Sequence, residues 1–144
     1  MGTKVYGYNR AAFTVTIANN GNTTSTGGYG ESSGARGVVD PADGIIDIIN
    51  YVWGAIGIVS GTWVAADLSF TAASTRAGTY SAVYDKDGTL VRSKIGSNTA
   101  GWFALPDEIF RAGPFIKCVS TNTASAATVT QSTGPMVLNV LLGA

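Results

Sequence analysis

The stretch Phe13-Thr14-Val15-Thr16-Ile17 alternates apolar side chains with threonines at every second position. A period of two places Phe13, Val15 and Ile17 on one face of an extended chain and the threonines on the other. The stretch therefore predicts a β-strand with one buried face. The sequence contains no long run with the spacing of an amphipathic helix.

Short apolar or alternating runs continue through the rest of the chain, separated by Gly, Pro, Asn and Asp. The runs predicted as strands are 45–53, 55–60, 62–70, 79–84, 89–95, 115–119 and 136–142. Asp85-Lys86-Asp87-Gly88 predicts a hairpin turn, because Asp-Gly supplies a residue with positive φ. Residues 105–110 predict one helical turn, because Pro106 suits a helix start. About eight strands at this spacing predict an all-β fold, a sandwich or a barrel.

The segment 19–37 is rich in Gly, Ser and Thr and poor in apolar side chains. Such a segment buries too little surface to offset the entropy of ordering, so it predicts a flexible Gly-rich arm or long loop. The 144 residues of the chain are the size of one domain. We expect a single domain over 1–144, in which 1–37 supplies N-terminal strands and the arm, and 38–144 the main sandwich.

The composition excludes many kinds of site. The chain has no His and one Cys, which removes His-dependent catalysis, His-ligated zinc and an internal disulfide. The acidic pair Asp85 and Asp87 fits a hairpin turn better than a calcium loop, because Gly88 comes too early and no Glu closes the loop. We therefore expect no enzyme activity, no cofactor and no metal.

The charge pattern also limits the partners. Nine Lys and Arg balance nine Asp and Glu, which argues against a nucleic-acid partner, because phosphate binding needs clustered positive charge. The uncharged run 48–66 contains glycines and many β-branched residues, which favours buried strands over a membrane span. A sparsely charged surface favours association, and we predict that the chain associates with itself, as a dimer.

The aromatic residues divide into two groups. Trp53, Trp63 and Trp102 could form a sugar-binding face, but they come from separate segments, so packing in the core is favoured. The tyrosines in or beside the Gly-rich sequence cannot be buried locally, and aromatic side chains on an arm are typical partner anchors. The predicted partner-contact residues are Tyr6, Tyr8, Arg10, Phe13, Tyr29 and Arg36.

Three stretches resemble small structural proteins of tailed phages. They are Ala55-Ile56-Gly57-Ile58-Val59-Ser60-Gly61-Thr62-Trp63-Val64-Ala65-Ala66-Asp67-Leu68-Ser69-Phe70, then Tyr80-Ser81-Ala82-Val83-Tyr84-Asp85-Lys86-Asp87-Gly88-Thr89, and Phe110-Arg111-Ala112-Gly113-Pro114-Phe115-Ile116-Lys117-Cys118-Val119-Ser120, followed by a terminal apolar strand. Together they cover residues 54–142. The chain is thus similar to capsid cement or decoration proteins.

That resemblance implies an antiparallel β-sandwich of jelly-roll type without catalytic residues. It implies a virion protein, made in the host cytoplasm, that binds the outside of the phage head and stabilises the capsid by bridging subunits of the major capsid protein. The alternative is a β-sandwich module associated with the tail or a fibre, or one that binds carbohydrate through Trp and Tyr.

Overall fold

The computed structural model describes residues 10–17, 23–25, 39–40, 44–58, 63–97, 100–129 and 136–144. These residues form eleven strands and one short helix, α1 (Ile109–Ala112). The strands are β1 (Arg10–Ile17), β2 (Thr23–Ser25), β3 (Val39–Asp40), β4 (Ile45–Asp47), β5 (Trp53–Ile58), β6 (Ala66–Ala73), β7 (Ser81–Ala82), β8 (Arg92–Gly96), β9 (Gly101–Ala104), β10 (Phe115–Thr121) and β11 (Met136–Gly143).

The strands form two sheets with antiparallel pairing. A five-stranded sheet has the order β2-β1-β11-β5-β9, and a six-stranded sheet has the order β3-β4-β10-β6-β7, with β8 also paired to β6. The main strands thus follow the orders β1-β11-β5-β9 and β4-β10-β6-β8, in which two Greek keys interleave as a jelly roll. The predicted antiparallel β-sandwich of jelly-roll type is confirmed.

The core lies between the sheets and is built from alternate residues of each strand. Phe13, Val15 and Ile17 of β1 are buried, as their spacing of two predicts. They belong to one apolar cluster with Leu68 and Phe70 of β6. Since β1 lies inside the five-stranded sheet, the N-terminal strand is an integral part of the sandwich.

Several elements differ from the sequence predictions, among them the following. The strand predicted over 45–53 ends at Asp47, and the chain turns before β5 begins at Trp53. An unpredicted strand, β9, forms one edge of the five-stranded sheet. Within the predicted arm, β2 pairs with β1 through Thr16 and Ser25, so this part is an edge strand. The other arm residues lie outside the described residues.

The predicted hairpin turn is confirmed. The amide of Asp85 donates to the carbonyl of Thr89 at 2.9 Å, and Gly88 has a φ of 80°, as an Asp-Gly turn requires. The predicted helical turn is also present, and α1 begins shortly after Pro106. In the described part of the chain, no helix has the length and apolar character needed to cross a membrane.

Candidate functional site

Asp85 stabilises the hairpin turn through its own side chain. Its carboxylate accepts hydrogen bonds from the amides of Thr89 at 2.9 Å and Asp87 at 2.8 Å. These two bonds lower the pKa of Asp85 below its usual 3.8, because they favour the charged form. Across the described residues, no three His, Cys, Asp or Glu side chains are grouped to hold a metal ion.

A buried ion pair lies on the outer side of the six-stranded sheet. Arg92 Nη1 of β8 lies 3.3 Å from Asp67 Oδ2 of β6, and their side chains are only 14% and 4% exposed. Asp67 Oδ1 accepts a hydrogen bond from the amide of Gly96 at 3.1 Å. Arg92 also donates to the carbonyls of Asn122 at 2.7 Å and Ser125 at 3.1 Å. The pair thus fastens β8 and the loop after β10 onto β6.

Other side chains cover more of this outer face. The Lys117 ammonium lies 4.5 Å from the centre of the Tyr80 ring, and the Arg76 guanidinium lies 5.4 Å from the centre of the Phe115 ring. Both are cation–π contacts. Among the described residues, these contacts and the buried ion pair cover part of the outer face of the six-stranded sheet.

The outer face of the five-stranded sheet is exposed and largely apolar. Trp102 of β9 is 61% exposed, Val137 of β11 is 47% exposed, and Trp53 of β5 is 39% exposed. Small residues such as Ala12 and Ala104 lie exposed on the same face. An exposed apolar face of this kind is typical of an interaction surface.

The two exposed indoles lie flat on glycines of neighbouring strands. A Cβ atom added to Gly57 would lie between 2.9 and 3.0 Å from three consecutive ring atoms of Trp102, which only the face of the ring allows. The ring of Trp53 covers Gly143 of β11 in the same way. Strand register pairs Gly57 with Trp102 and Gly143 with Trp53. Each indole therefore has one face against the sheet and the other toward solvent.

The prediction that the tryptophans pack in the core is correct for Trp63 only. Trp63 is 6% exposed, and its Nε1 donates to the carbonyl of Ala66 at 3.1 Å. Trp53 and Trp102 contradict the prediction, because strand pairing brings their separate segments onto one outer face.

A shallow groove of about 290 Å³ lies beside Trp102, and we call it the Trp102 groove. One row of paired residues crosses the sheet there: Thr14 of β1, Asn139 of β11, Gly57 of β5 and Trp102 of β9. Leu141 of β11 also lines it. The described residues that line the groove include no ionisable side chain.

Removal of the buried Thr14 hydroxyl is expected to stabilise the protein. Its Oγ1 atom is buried and makes no hydrogen bond within the described structure. Because an unsatisfied buried polar group costs about 1–3 kcal/mol, we expect Thr14→Val to raise the free energy of unfolding by about 1 kcal/mol. Urea unfolding measures the change. A lower stability in the variant would mean that the hydroxyl has a partner.

The turn of residues 48–52, which we call the end turn, exposes two aliphatic side chains at one end of the sandwich. Ile49 is 69% exposed and Val52 is 63% exposed. The pKa of Tyr51 is raised above its usual 10.0 by partial burial and by the negative charge of Asp47. The end turn thus exposes apolar side chains in a stretch of sequence that was predicted to be buried.

Backbone hydrogen bonds tie the end turn to both sheets. The amide of Ile48 donates to the carbonyl of Pro114, which adjoins β10, at 2.8 Å. The amide of Val52 donates to the carbonyl of Gly143, in β11, at 2.9 Å. A groove of about 260 Å³ borders the turn, and its described lining is Ile48, Ile49, Phe110, Arg111, Gly113 and Pro114. The apolar side chains are thus presented from a fixed backbone.

The structure describes two of the six predicted contact residues. Arg10 begins β1, is exposed, and pairs with Gly143 at the same end of the sandwich as the end turn. Phe13 is only 5% exposed. The predicted contact role of Phe13 is corrected, because its side chain packs in the core. The other four lie outside the described residues: Tyr6, Tyr8, Tyr29 and Arg36.

No family model matches the sequence, and no curated protein matches it. Among solved structures, the chain is similar to the crystal structure of SPBc2 prophage-derived protein YomS, with a TM-score of 0.46 and 13% sequence identity over 99% of this chain and 100% of that chain. At that level of similarity the likeness carries no argument about function. The exposed surfaces of the described residues are the basis for the functional argument.

Proposed function

We propose that this chain is a structural protein of a phage virion, without catalytic activity, that binds the outside of the head and stabilises it by bridging subunits of the major capsid protein. The observation that carries the proposal is the end turn, where Ile49 and Val52 are 69% and 63% exposed. The resemblance of residues 54–142 to capsid cement proteins supports the same partner.

The end turn has the properties of an anchor for a protein partner. Aliphatic side chains this exposed gain free energy when a partner removes them from water. Because the backbone is already held by Pro114 and Gly143, little conformational entropy is lost on binding. Arg10 lies next to Gly143 in the sheet, so it supplies a charged rim beside the apolar centre, the usual arrangement of an interface.

Bridging needs a second contact besides the end turn. A specific interface buries about 800 Å² on each partner, more than one turn supplies. We assign the second contact to the predicted N-terminal residues Tyr6, Tyr8, Tyr29 and Arg36.

Self-association as a dimer remains a prediction. Sedimentation equilibrium at tens of micromolar protein tests it, and a pure monomer would contradict it.

Reconstitution on heads tests the proposal. Purified protein is titrated onto phage heads that lack it, and bound protein is measured after sedimentation of the heads. We expect the double substitution Ile49→Asp and Val52→Asp to weaken binding about 100-fold, because it places two charges at the centre of the contact. Both side chains are exposed, so the thermal midpoint of unfolding should be unchanged.

Ala126→Asp serves as the control. Ala126 is exposed and lies in the loop after β10, at the opposite end of that strand from Pro114 and the end turn, so its variant should bind heads normally. Equal binding by the wild type and the double variant would remove the end turn from the interface. Binding of the wild type to tails and not to heads would favour the tail or fibre alternative.

A further inference from the structure

The Trp102 groove combines an open aromatic face with uncharged polar groups. One face of the Trp102 indole rests on Gly57, and the ring is 61% exposed, so its other face is available for stacking. Asn139 lies in the same row of the sheet as Trp102, on the other side of Gly57. Its carboxamide both donates and accepts hydrogen bonds. The volume of about 290 Å³ lies at the lower end of the range for ligand pockets.

We propose that the Trp102 groove binds a neutral hexopyranose ring of an oligosaccharide. The C–H groups on one face of a pyranose ring form a flat apolar surface, which packs against the indole and leaves water. The hydroxyl groups at the ring edge are both donors and acceptors, which matches the carboxamide of Asn139. The groove thus offers both kinds of contact that a sugar ring requires.

The lining of the groove selects against other ligands. Its described residues carry no charge, so neither the phosphates of a nucleic acid nor an acidic ligand finds a counter-charge there. A protein partner would have to cover the whole exposed face rather than this groove, and the concentration dependence measured below distinguishes that case. A neutral ligand that stacks on one ring and hydrogen-bonds at its edge fits the lining best.

Trp53 supplies a second stacking platform on the same face. Its ring lies over Gly143, and it precedes Gly57 by four residues of β5, which corresponds to about 13 Å along the strand. A single sugar ring cannot contact both indoles at that separation. The ligand is therefore an oligomer, with one ring on Trp102 and a later ring on Trp53.

The sugar site does not depend on the proposed docking of the chain on the head. The Trp102 groove shares no lining residue with the end turn, whereas Trp53 directly follows that turn. The sugar experiment is therefore decided at Trp102, and it uses the free protein. Failure of sugar binding would leave head binding untouched. Failure of the wild type to bind heads would likewise leave the sugar site untouched.

Side-chain nuclear magnetic resonance of the full chain tests the site. The three indole N–H signals of ¹⁵N-labelled protein are assigned with Trp→Phe variants. Cellohexaose, maltohexaose, mannohexaose and chitohexaose are then titrated separately. We expect at least one of them to shift the Trp102 and Trp53 signals in a saturable way. The Trp63 signal should not move, because that side chain is 6% exposed and bonded to Ala66.

Variants separate stacking from indirect effects. We expect Trp102→Ala to weaken binding about tenfold or more, and Trp102→Phe to restore part of it, because a smaller aromatic ring still stacks. Asn139→Ala should also weaken it, whereas Tyr84→Ala, which removes an exposed aromatic residue elsewhere, should not. The inference is overturned if none of the four sugars moves the Trp102 signal. It is also overturned if that signal shifts with protein concentration alone, which would assign the face to a second copy.

Discussion

Replacing Asp67 with alanine is expected to lower the free energy of unfolding by about 3–5 kcal/mol. The substitution leaves Arg92, whose side chain is 14% exposed, as a buried charge without its carboxylate. It also removes the acceptor of the Gly96 amide. Since domains are stable by only about 5–15 kcal/mol, this loss takes a large share of the total. Urea unfolding followed by tryptophan fluorescence measures it.

An exposed ion pair provides the matched control. Lys86 and Asp87 lie 3.1 Å apart, with side chains 87% and 71% exposed. Because exposed pairs contribute little to stability, Asp87→Ala should leave the unfolding midpoint unchanged. Similar midpoints for the Asp67 and Asp87 variants would contradict the role given to the buried pair.

Phe70→Ala is expected to lower the free energy of unfolding by about 3–5 kcal/mol. The Phe70 side chain is fully buried, with 0% exposure. It lies on β6, which pairs with β10 on one edge and with β7 and β8 on the other. Alanine would leave a cavity that these flanking strands hold open, so the loss includes both apolar burial and packing. Thermal and urea unfolding measure the effect.

Tyr84→Ala is the control for removal of an aromatic ring. Tyr84 is 54% exposed, so its truncation opens no internal cavity and should change the stability by less than about 0.5 kcal/mol. If Phe70→Ala were as mild as the control, the core would not lie between the two sheets as described.

Local signals in the sequence predicted much of the fold. The alternation at Phe13, Val15 and Ile17 correctly identified a strand and its buried face. Asp87 and Gly88 marked a hairpin turn because Asp-Gly readily supplies a positive φ, and Gly88 has a φ of 80°. These signals depend on neighbouring residues alone, so no knowledge of strand pairing was needed.

The end turn escaped prediction because its sequence carries the signal of burial. Seven of the nine residues in 45–53 are apolar and outweighed the two turn residues, Asp47 and Asn50, although Asp47 Oδ1 accepts a hydrogen bond from the amide of Ile49 at 3.1 Å. The structure nevertheless exposes Ile49 and Val52 there. An apolar side chain that stays exposed on a rigid turn does not contribute its burial to the stability of the isolated chain. Such departures from the requirements of folding concentrate at functional sites.

The proposed sugar-binding face could not be assembled from the sequence for a different reason. Trp53 of β5 and Trp102 of β9 share a face only because β5 pairs with β9. Pairing between strands distant in sequence leaves no local pattern. The sequence likewise gave no sign of the role of Gly57 and Gly143. Only the strand register shows that each lies beneath an indole.

Counting copies in the virion tests the central proposal most directly. Quantitative mass spectrometry of purified particles gives the ratio of this chain to the major capsid protein. A protein that bridges capsid subunits across the head should be present at a fixed, large fraction of the major capsid protein. A handful of copies per particle, or none, would contradict the proposed role on the head.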